Sequence, residues 1–193
     1  VSNNILLETL ECSSNSLTTL DVTNNVKLSN LWCYGNQLTS LDISKNVELT
    51  ELNCHENHLT SLDISNNTKL KIVYCHENQL STLDSSQNSS LEELWCESNP
   101  LTSIDTSNYP NLKTLYCSCD ELTNLNVTGN ANLTFLNCQL SQLTSLDVSK
   151  NDKLTHLSCY SNQLTYFDLS KNGNLQDLDC CDNQITTLDL STN

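Results

Sequence analysis

Apolar residues return along this chain in a fixed order with a period of 21 residues. The first half of each period has the pattern LxxLxCxxN and the second half the pattern LxxLDxSxN, in which x is mostly polar. The L-x-C and L-x-(V/I) pieces alternate with a period of two, which is typical of a β-strand. No segment has the length or the 3.6-residue period of a helix. We therefore expect two short strand-like segments in each period.

One column of cysteines shows that the register is kept along the whole chain. A period of about 20 residues without insertions predicts a solenoid of stacked coils, here mainly β. Coil 1 begins at Leu7, seven further full coils follow at intervals of 21, and a partial repeat lies at each end. We expect residues 1–193 to form a single domain. The cysteines of the column are Cys12, Cys33, Cys54, Cys75, Cys96, Cys117, Cys138, Cys159 and Cys180.

The repeat predicts an apolar core and a polar corner at the end of each half coil. Four Leu, one Cys and one Val or Ile per coil should point inward. The Asn that ends each half tolerates left-handed backbone and can bond turn amides and carbonyls of its own coil and of the next. Several mid-chain residues depart from this pattern, so we expect a local irregularity in coils 4 to 7. They are Asp120 and Ser141 at the first-half Asn, Tyr109 at the second-half Asn, and Ser85 and Thr106 at the inward Val/Ile.

The segment LSNLWCYGNQLTSLDISKN, from Leu28 to Asn46, resembles bacterial leucine-rich repeats. Within them it is most similar to the 21-residue class whose halves are both based on LxxL, and the resemblance covers the whole chain. It implies a right-handed superhelix with parallel strands on its concave face, extended segments on the other side, and no long helices. It also implies a binding scaffold of secreted or surface-attached proteins that bind proteins or glycans, which leaves the ligand open.

Composition narrows the choice of partner. The net charge of −15, with eight Lys and no Arg, argues against nucleic acid and anionic membranes as ligands. No nucleophile–base pair, phosphate loop or pocket is indicated, so we expect neither catalysis nor a cofactor. No apolar run approaches the roughly 18 residues of a spanning helix. Neither end resembles a cap, so we expect part of a longer repeat protein or ends that stack on one another.

The cysteine spacing favours a ladder of buried free thiols, because each cysteine stands above the last among apolar neighbours. Adjacent coils lie about 4.8 Å apart, which is also within the reach of a disulfide, so bridges stay open as an alternative. The cysteines therefore do not decide the redox compartment. Cys119 and Cys181 fall outside the column.

The first-half strand has three outward columns, which lie three residues before, one before and one after each ladder cysteine. These 27 positions hold seven of the ten aromatic residues and three of the four His, but no Lys. Either the rings pack on cross-strand neighbours, or they form a ligand-binding face. We expect the second. The predicted face comprises Trp32, Tyr34, His55, Tyr74, His76, Trp95, Glu97, Tyr116, Phe135, His156 and Tyr160.

An aromatic, acidic face suits a basic or mixed protein surface, or a neutral glycan. We therefore expect an extracellular, non-catalytic module that binds protein through this face. The alternatives are glycan binding by the same face, a structural spacer, and an ice-binding solenoid, since a Thr column (Thr18, Thr39, Thr60 and their equivalents) also runs along the chain.

Two columns raise the question of metal ions. His55, His76 and Glu97 follow one another in one column, which makes them candidate ligands of a transition metal. The second-half Asp column, with Asp42 and Asp63 as examples, either accepts turn hydrogen bonds or binds calcium. In both columns the interpretation without a metal is favoured.

Overall fold

The computed structural model describes residues 3–83, 87–191 and 193. Nine short strands, one from each coil, form a single parallel sheet, and no helix occurs in these ranges. This confirms the predicted solenoid. The strands are β1 (Thr9–Glu11), β2 (Asn30–Trp32), β3 (Glu51–Asn53), β4 (Ile72–Tyr74), β5 (Glu93–Trp95), β7 (Thr114–Tyr116), β9 (Phe135–Asn137), β10 (His156–Ser158) and β11 (Asp177–Asp179).

Every strand pair of this sheet is in register at an offset of 21 residues. Leu31 pairs with Leu52, and Trp32 pairs with Asn53 on the next strand. The columns of the sequence are therefore columns of the structure, separated by the spacing of parallel strands, about 4.8 Å.

A second sheet exists, but it has only two strands, β6 (Ser103–Asp105) and β8 (Asn124–Asn126). Of the two strand-like segments expected in each coil, the second is a paired strand only in these two of the described coils. The two exceptional coils differ at one facing pair, where the Asn126 amide donates to the Asp105 carboxylate at 3.1 Å. Most other facing pairs of this column bring carboxylate against carboxylate, which disfavours strand pairing. Asn126 also faces Asp147 in the next coil, where no second-half strand forms, so this contact accompanies the pairing but does not explain it alone.

The core is the stack of predicted inward positions. In coil 3, Leu49, Leu52, Cys54, Leu59 and Ile64 have no exposed surface. Most of the corresponding positions of the first and last coils are only partly buried, because each of these coils has a full coil on one side only in this chain. These partly buried side chains are Leu7, Leu10, Cys12, Leu17, Leu20, Leu175, Leu178, Cys180 and Ile185.

The first-half asparagines join neighbouring coils, as Asn57 shows. Its amide group donates to the carbonyls of Cys33 (3.0 Å) and Cys54 (3.2 Å), and its Oδ1 accepts the N–H of Leu38 at 3.0 Å. The preceding residue, Glu56, takes the left-handed conformation that turns this amide inward (φ 50°). The equivalent residue has a positive φ in seven other coils: Ser14, Gly35, Glu77, Ser98, Leu140, Ser161 and Asp182.

The second-half asparagines form a second ladder in the interior. The Asn46 amide donates to the carbonyls of Val22 (3.0 Å) and Asn25 (2.9 Å) in the preceding coil. Asn46 has no exposed surface, and neither do Asn67 and Asn88. Both asparagine columns therefore have the structural role that the sequence predicts.

The irregularity expected in coils 4 to 7 is present. Cys119 is fully buried where the other coils have a left-handed turn residue, and Asp120 is exposed instead of entering the ladder. Ser141 bridges the gap because its hydroxyl accepts the N–H of Cys119 at 3.3 Å. Tyr109 is buried in place of the second-half Asn, and the hydroxyl of Thr106 donates to the carbonyl of Asn126 at 2.9 Å. Ser85 lies outside the described residues.

Candidate functional site

The outward side chains of the nine-stranded sheet, with the residue after each ladder cysteine, form one surface that we call the strand face. Leu or Val at the centre of each strand points inward, so its two neighbours point outward. All eleven residues predicted from the sequence lie on the strand face, and each is partly buried.

Eight rings on this face are in mutual contact and form a continuous strip, which we call the aromatic ribbon. Each contact joins rings of adjacent coils, with centroids between 4.2 Å (His55–His76) and 5.7 Å apart (Phe135–His156). The ribbon begins in the column after the cysteine, passes through the column before it, and ends three residues before it. It therefore crosses the sheet obliquely. Its members are Tyr34, His55, His76, Tyr74, Trp95, Tyr116, Phe135 and His156.

Two glutamates that the sequence analysis did not select fix the indoles. The Trp32 Nε1–H donates to Glu51 at 2.7 Å, and the Trp95 Nε1–H donates to Glu93 at 2.8 Å. Both glutamates occupy the outward column three residues before the cysteine. In the sequence, this placement beside a Trp was the only feature that could have indicated the two glutamates. Trp32 and Tyr160 lie on the face but make none of the ring contacts of the ribbon.

Many of the ring contacts in the ribbon are stacking contacts, in which the face of one ring covers the face of the next. Tyr34 and His55 are nearly parallel, with an interplanar angle of 6°, and His55 and His76 are at 10°. The alternative that aromatics pack on cross-strand neighbours is therefore seen in the structure, although the rings keep part of their surface exposed. A sugar stacks on an open ring face, and such faces are scarce in the first part of the ribbon.

Burial controls the protonation of this face. It lowers the pKa of His76 to about 4, with a smaller contribution from His55, and it also lowers the pKa of His55 itself. Both imidazoles are therefore neutral at pH 7 and can stack without repulsion. Burial raises the pKa of Glu97 to about 7, and burial together with Glu93 raises the pKa of Tyr74 to about 12.

The candidate metal ligands are not arranged around a common point. Because His55 and His76 stack nearly parallel at 4.2 Å, their ring nitrogens lie in separate parallel planes and do not converge on one ion. In the part of the chain that the structure describes, no group of three or more His, Cys, Asp or Glu side chains could hold a metal ion.

The second-half aspartates accept hydrogen bonds from their own turns. Asp42 Oδ1 accepts the N–H of Ser44 at 3.0 Å, and Asp63 Oδ1 accepts that of Ser65 at 2.9 Å. Hydrogen bonding by the Ser44 and Ser65 side chains, together with these backbone bonds, lowers the pKa of both aspartates. The same backbone contact recurs at Asp21, Asp105, Asp147, Asp168 and Asp189. The hydrogen-bonded interpretation of this column is supported. Asp84 lies outside the described residues.

All eleven cysteines are free thiols, and eight of them are buried. Burial raises the pKa of Cys33 to about 12 and that of Cys54 well above its usual range. A thiol that stays protonated is a poor nucleophile, so the ladder is inert packing, as the spacing favoured.

A recess lies at the far end of the strand face, close to where the ribbon stops. The recess has a volume of about 200 Å³, and it is lined by the aromatic residues Phe135 and His156 and the acidic residues Asp177 and Asp179. Leu157 and Ser158 complete the lining.

Comparison with known proteins assigns the chain to a family. No family profile and no curated protein matches the sequence. Among solved structures, the functional domain of InlJ from Listeria monocytogenes, which includes a cysteine ladder, is 39% identical with a TM-score of 0.95. The match covers 97% of this chain and 42% of that one. The chain is a leucine-rich repeat protein.

Two other leucine-rich repeat structures bear on this repeat protein. A leucine-rich repeat protein of Leptospira interrogans is 25% identical with a TM-score of 0.73, over 95% of this chain and 57% of that one. The Drosophila Toll–Spätzle complex matches at 22% identity with a TM-score of 0.74, over 94% of this chain and 27% of that one, and shows the fold alone. The present chain thus spans less than two thirds of the length of each of the three proteins compared. Over its described ranges it contains no helix that could traverse a bilayer.

Proposed function

We propose that this leucine-rich repeat protein is a non-catalytic recognition module that binds a protein partner through the strand face. The observation that carries the proposal is the aromatic ribbon, which places eight partly exposed rings in one strip across seven coils. Aromatic residues are enriched where proteins bind one another, because they provide large and rigid contact area. Toll, whose structure with Spätzle shares this fold, supports a protein rather than a small molecule as the ligand.

An extracellular or cell-surface location belongs to the same proposal. It is supported by the resemblance to bacterial leucine-rich repeats and by the similarity to InlJ. A recognition role without catalysis is supported by the site itself, because buried thiols and neutral stacked imidazoles provide no activated nucleophile.

The test compares two substitutions of exposed aromatics. Trp95→Ala with Tyr116→Ala removes the centre of the ribbon, whereas Tyr166→Ala removes an exposed ring (62% exposed) that lies outside the strand face. In pull-downs from host or microbial-community surfaces, we expect the double variant to lose its partners and Tyr166→Ala to keep them.

Circular dichroism would confirm that both variants are folded. If the folded double variant captured the same partners as the wild type, the proposal would be wrong. A role as a structural spacer would then be favoured. A specific glycan-array signal that depends on Trp95 and Tyr116 would indicate that the ligand is a glycan and not a protein.

A further inference from the structure

The strand face has only one sign of charge. Its 27 positions include six carboxylates and neither Lys nor Arg. The Lys residues that form ion pairs, such as Lys69 with Glu48 and Lys113 with Glu92, lie outside these columns. A partner that docks here meets an uncompensated negative potential. The six carboxylates are Glu11, Glu51, Glu93, Glu97, Asp177 and Asp179.

The recess provides a defined place for a positive group. Beyond His156, the last ring of the ribbon, the next coil presents Asp177 and Asp179, which line the recess of about 200 Å³ together with Phe135 and His156. Asp179 Oδ1 also accepts the N–H of Cys181 at 3.3 Å. Among the described residues, no ion pair includes either aspartate. Carboxylates beside aromatic rings are the surroundings that guanidinium and ammonium groups prefer.

We propose that the partner presents a basic, extended segment that lies obliquely along the aromatic ribbon and places an Arg or Lys side chain in the recess of Phe135, His156, Asp177 and Asp179. This inference rests on the proposed function and adds the chemical class of the ligand. The complementarity of charge selects the partner and speeds encounter, while the rings provide the apolar contact.

The course of the ribbon fixes the size of that segment. From Tyr34 to His156 the ribbon spans six coil spacings, roughly 29 Å, and shifts sideways by four strand positions, roughly 13 Å. The diagonal of about 32 Å corresponds to roughly ten residues of extended chain. The rings are held by one another and by Glu93, so few rotamers are lost when a ligand binds.

The probe is a synthetic ten-residue peptide of alternating Leu and Arg, paired with an analogue in which every Arg is the neutral isostere citrulline. Binding to the full chain is followed by ¹⁵N–¹H chemical-shift changes. We expect shifts on the strand face, an affinity at least about tenfold higher for the Arg peptide, and a loss of about tenfold in Asp177→Asn with Asp179→Asn.

The matched control is Asp152→Asn with Glu121→Gln, which removes two exposed negative charges away from the strand face and should leave the affinity unchanged. Equal binding of both peptides, shifts on another surface, no binding, or an equal effect of the control variant would overturn the inference. These outcomes leave the proposed function standing if partner capture still depends on Trp95 and Tyr116. Conversely, capture that is insensitive to those rings removes the proposed function whatever the peptides do.

Discussion

At the scale of single residues, the ladder asparagines provide side-chain hydrogen bonds between neighbouring coils. Asn57 is 5% exposed and supplies hydrogen-bond partners to groups in its own coil and in the preceding one. A buried N–H or carbonyl left without a partner costs about 1–3 kcal/mol. The Asn column is therefore the feature that fixes one coil against the next.

Replacing Asn57 with Ala tests this role. The N–H of Leu38 would lose its acceptor and the carbonyls of Cys33 and Cys54 would lose a donor, so we expect a loss of about 3 kcal/mol in the free energy of unfolding. The matched control is exposed Asn15, whose amide bonds only to carbonyls of its own coil. Asn15→Ala should cost about 1 kcal/mol or less. Urea unfolding measures both, and equal losses would contradict the ladder role.

Glu97 gives the strand face a dependence on pH. Burial raises its folded pKa to about 7, above the unfolded value near 4.3, so the folded state favours the neutral carboxyl. Glu97 is therefore compatible with folding below about pH 4, and it opposes folding increasingly as the pH rises through 7.

We expect Glu97→Gln to match the wild type near pH 4 and to gain about 2 kcal/mol relative to it above pH 7.5, after allowance for partial exposure. Unfolding curves at several pH values give the difference, and a ¹³C titration of the Glu97 carboxyl gives the pKa directly. A carboxyl midpoint below 5 would contradict the burial argument.

At the scale of elements, the second sheet is a local response to a few substitutions. β6 and β8 pair where Asn126 faces Asp105, and the following turns approach closely. Gly129 lies in one of these turns, and a Cβ there would stand 2.5 Å from the carbonyl oxygen of Ser107. The equivalent position carries Lys45 and Lys150 in other coils, so the close approach is specific to this pair.

Gly129→Ala should therefore destabilise the protein by about 2 kcal/mol, which lowers Tm by about 4–8 °C for a chain of this size. The control is Gly173→Ala, because the equivalent position two coils earlier already carries Ala131. Thermal unfolding by circular dichroism measures both variants. An unchanged Tm in Gly129→Ala would show that the two turns separate at little cost.

At the scale of the whole molecule, burial divides the cysteines into three classes. Eight are fully enclosed, Cys12 and Cys180 are partly covered because they lie in the end coils, and Cys181 is exposed. The ladder behaves as one apolar column through the solenoid, and its thiols become accessible only when coils separate.

Titration with Ellman's reagent should reflect these classes. In the native protein we expect Cys181 to react first, Cys12 and Cys180 to react slowly, and the other eight to react only after unfolding in guanidinium, giving eleven thiols in total. Mass mapping of the labelled peptides identifies each class. Fewer than eleven thiols after unfolding without reductant would indicate disulfides in the ladder.

The sequence by itself determined the solenoid, its register, the inward positions and the face that carries the aromatics. It could do so because the same coil is repeated nine times, so each column of the repeat has the same structural position in every coil. Even the mid-chain irregularity was visible as departures such as Asp120 and Tyr109. The strand pairing of the second half was not, because similar second-half patterns form a strand in coils 5 and 6 and none in the other described coils.

Only the tertiary structure decided how the outward columns interact. The sequence places Tyr34, Trp95 and Phe135 in three separate columns, whereas the folded chain joins them into one oblique ribbon. The physical reason is that a ring reaches about as far sideways as it does along its own column, so rotamers rather than register choose its neighbours. The same choice stacked the two imidazoles in parallel planes, and it left Asp177 and Asp179 beside the last ring.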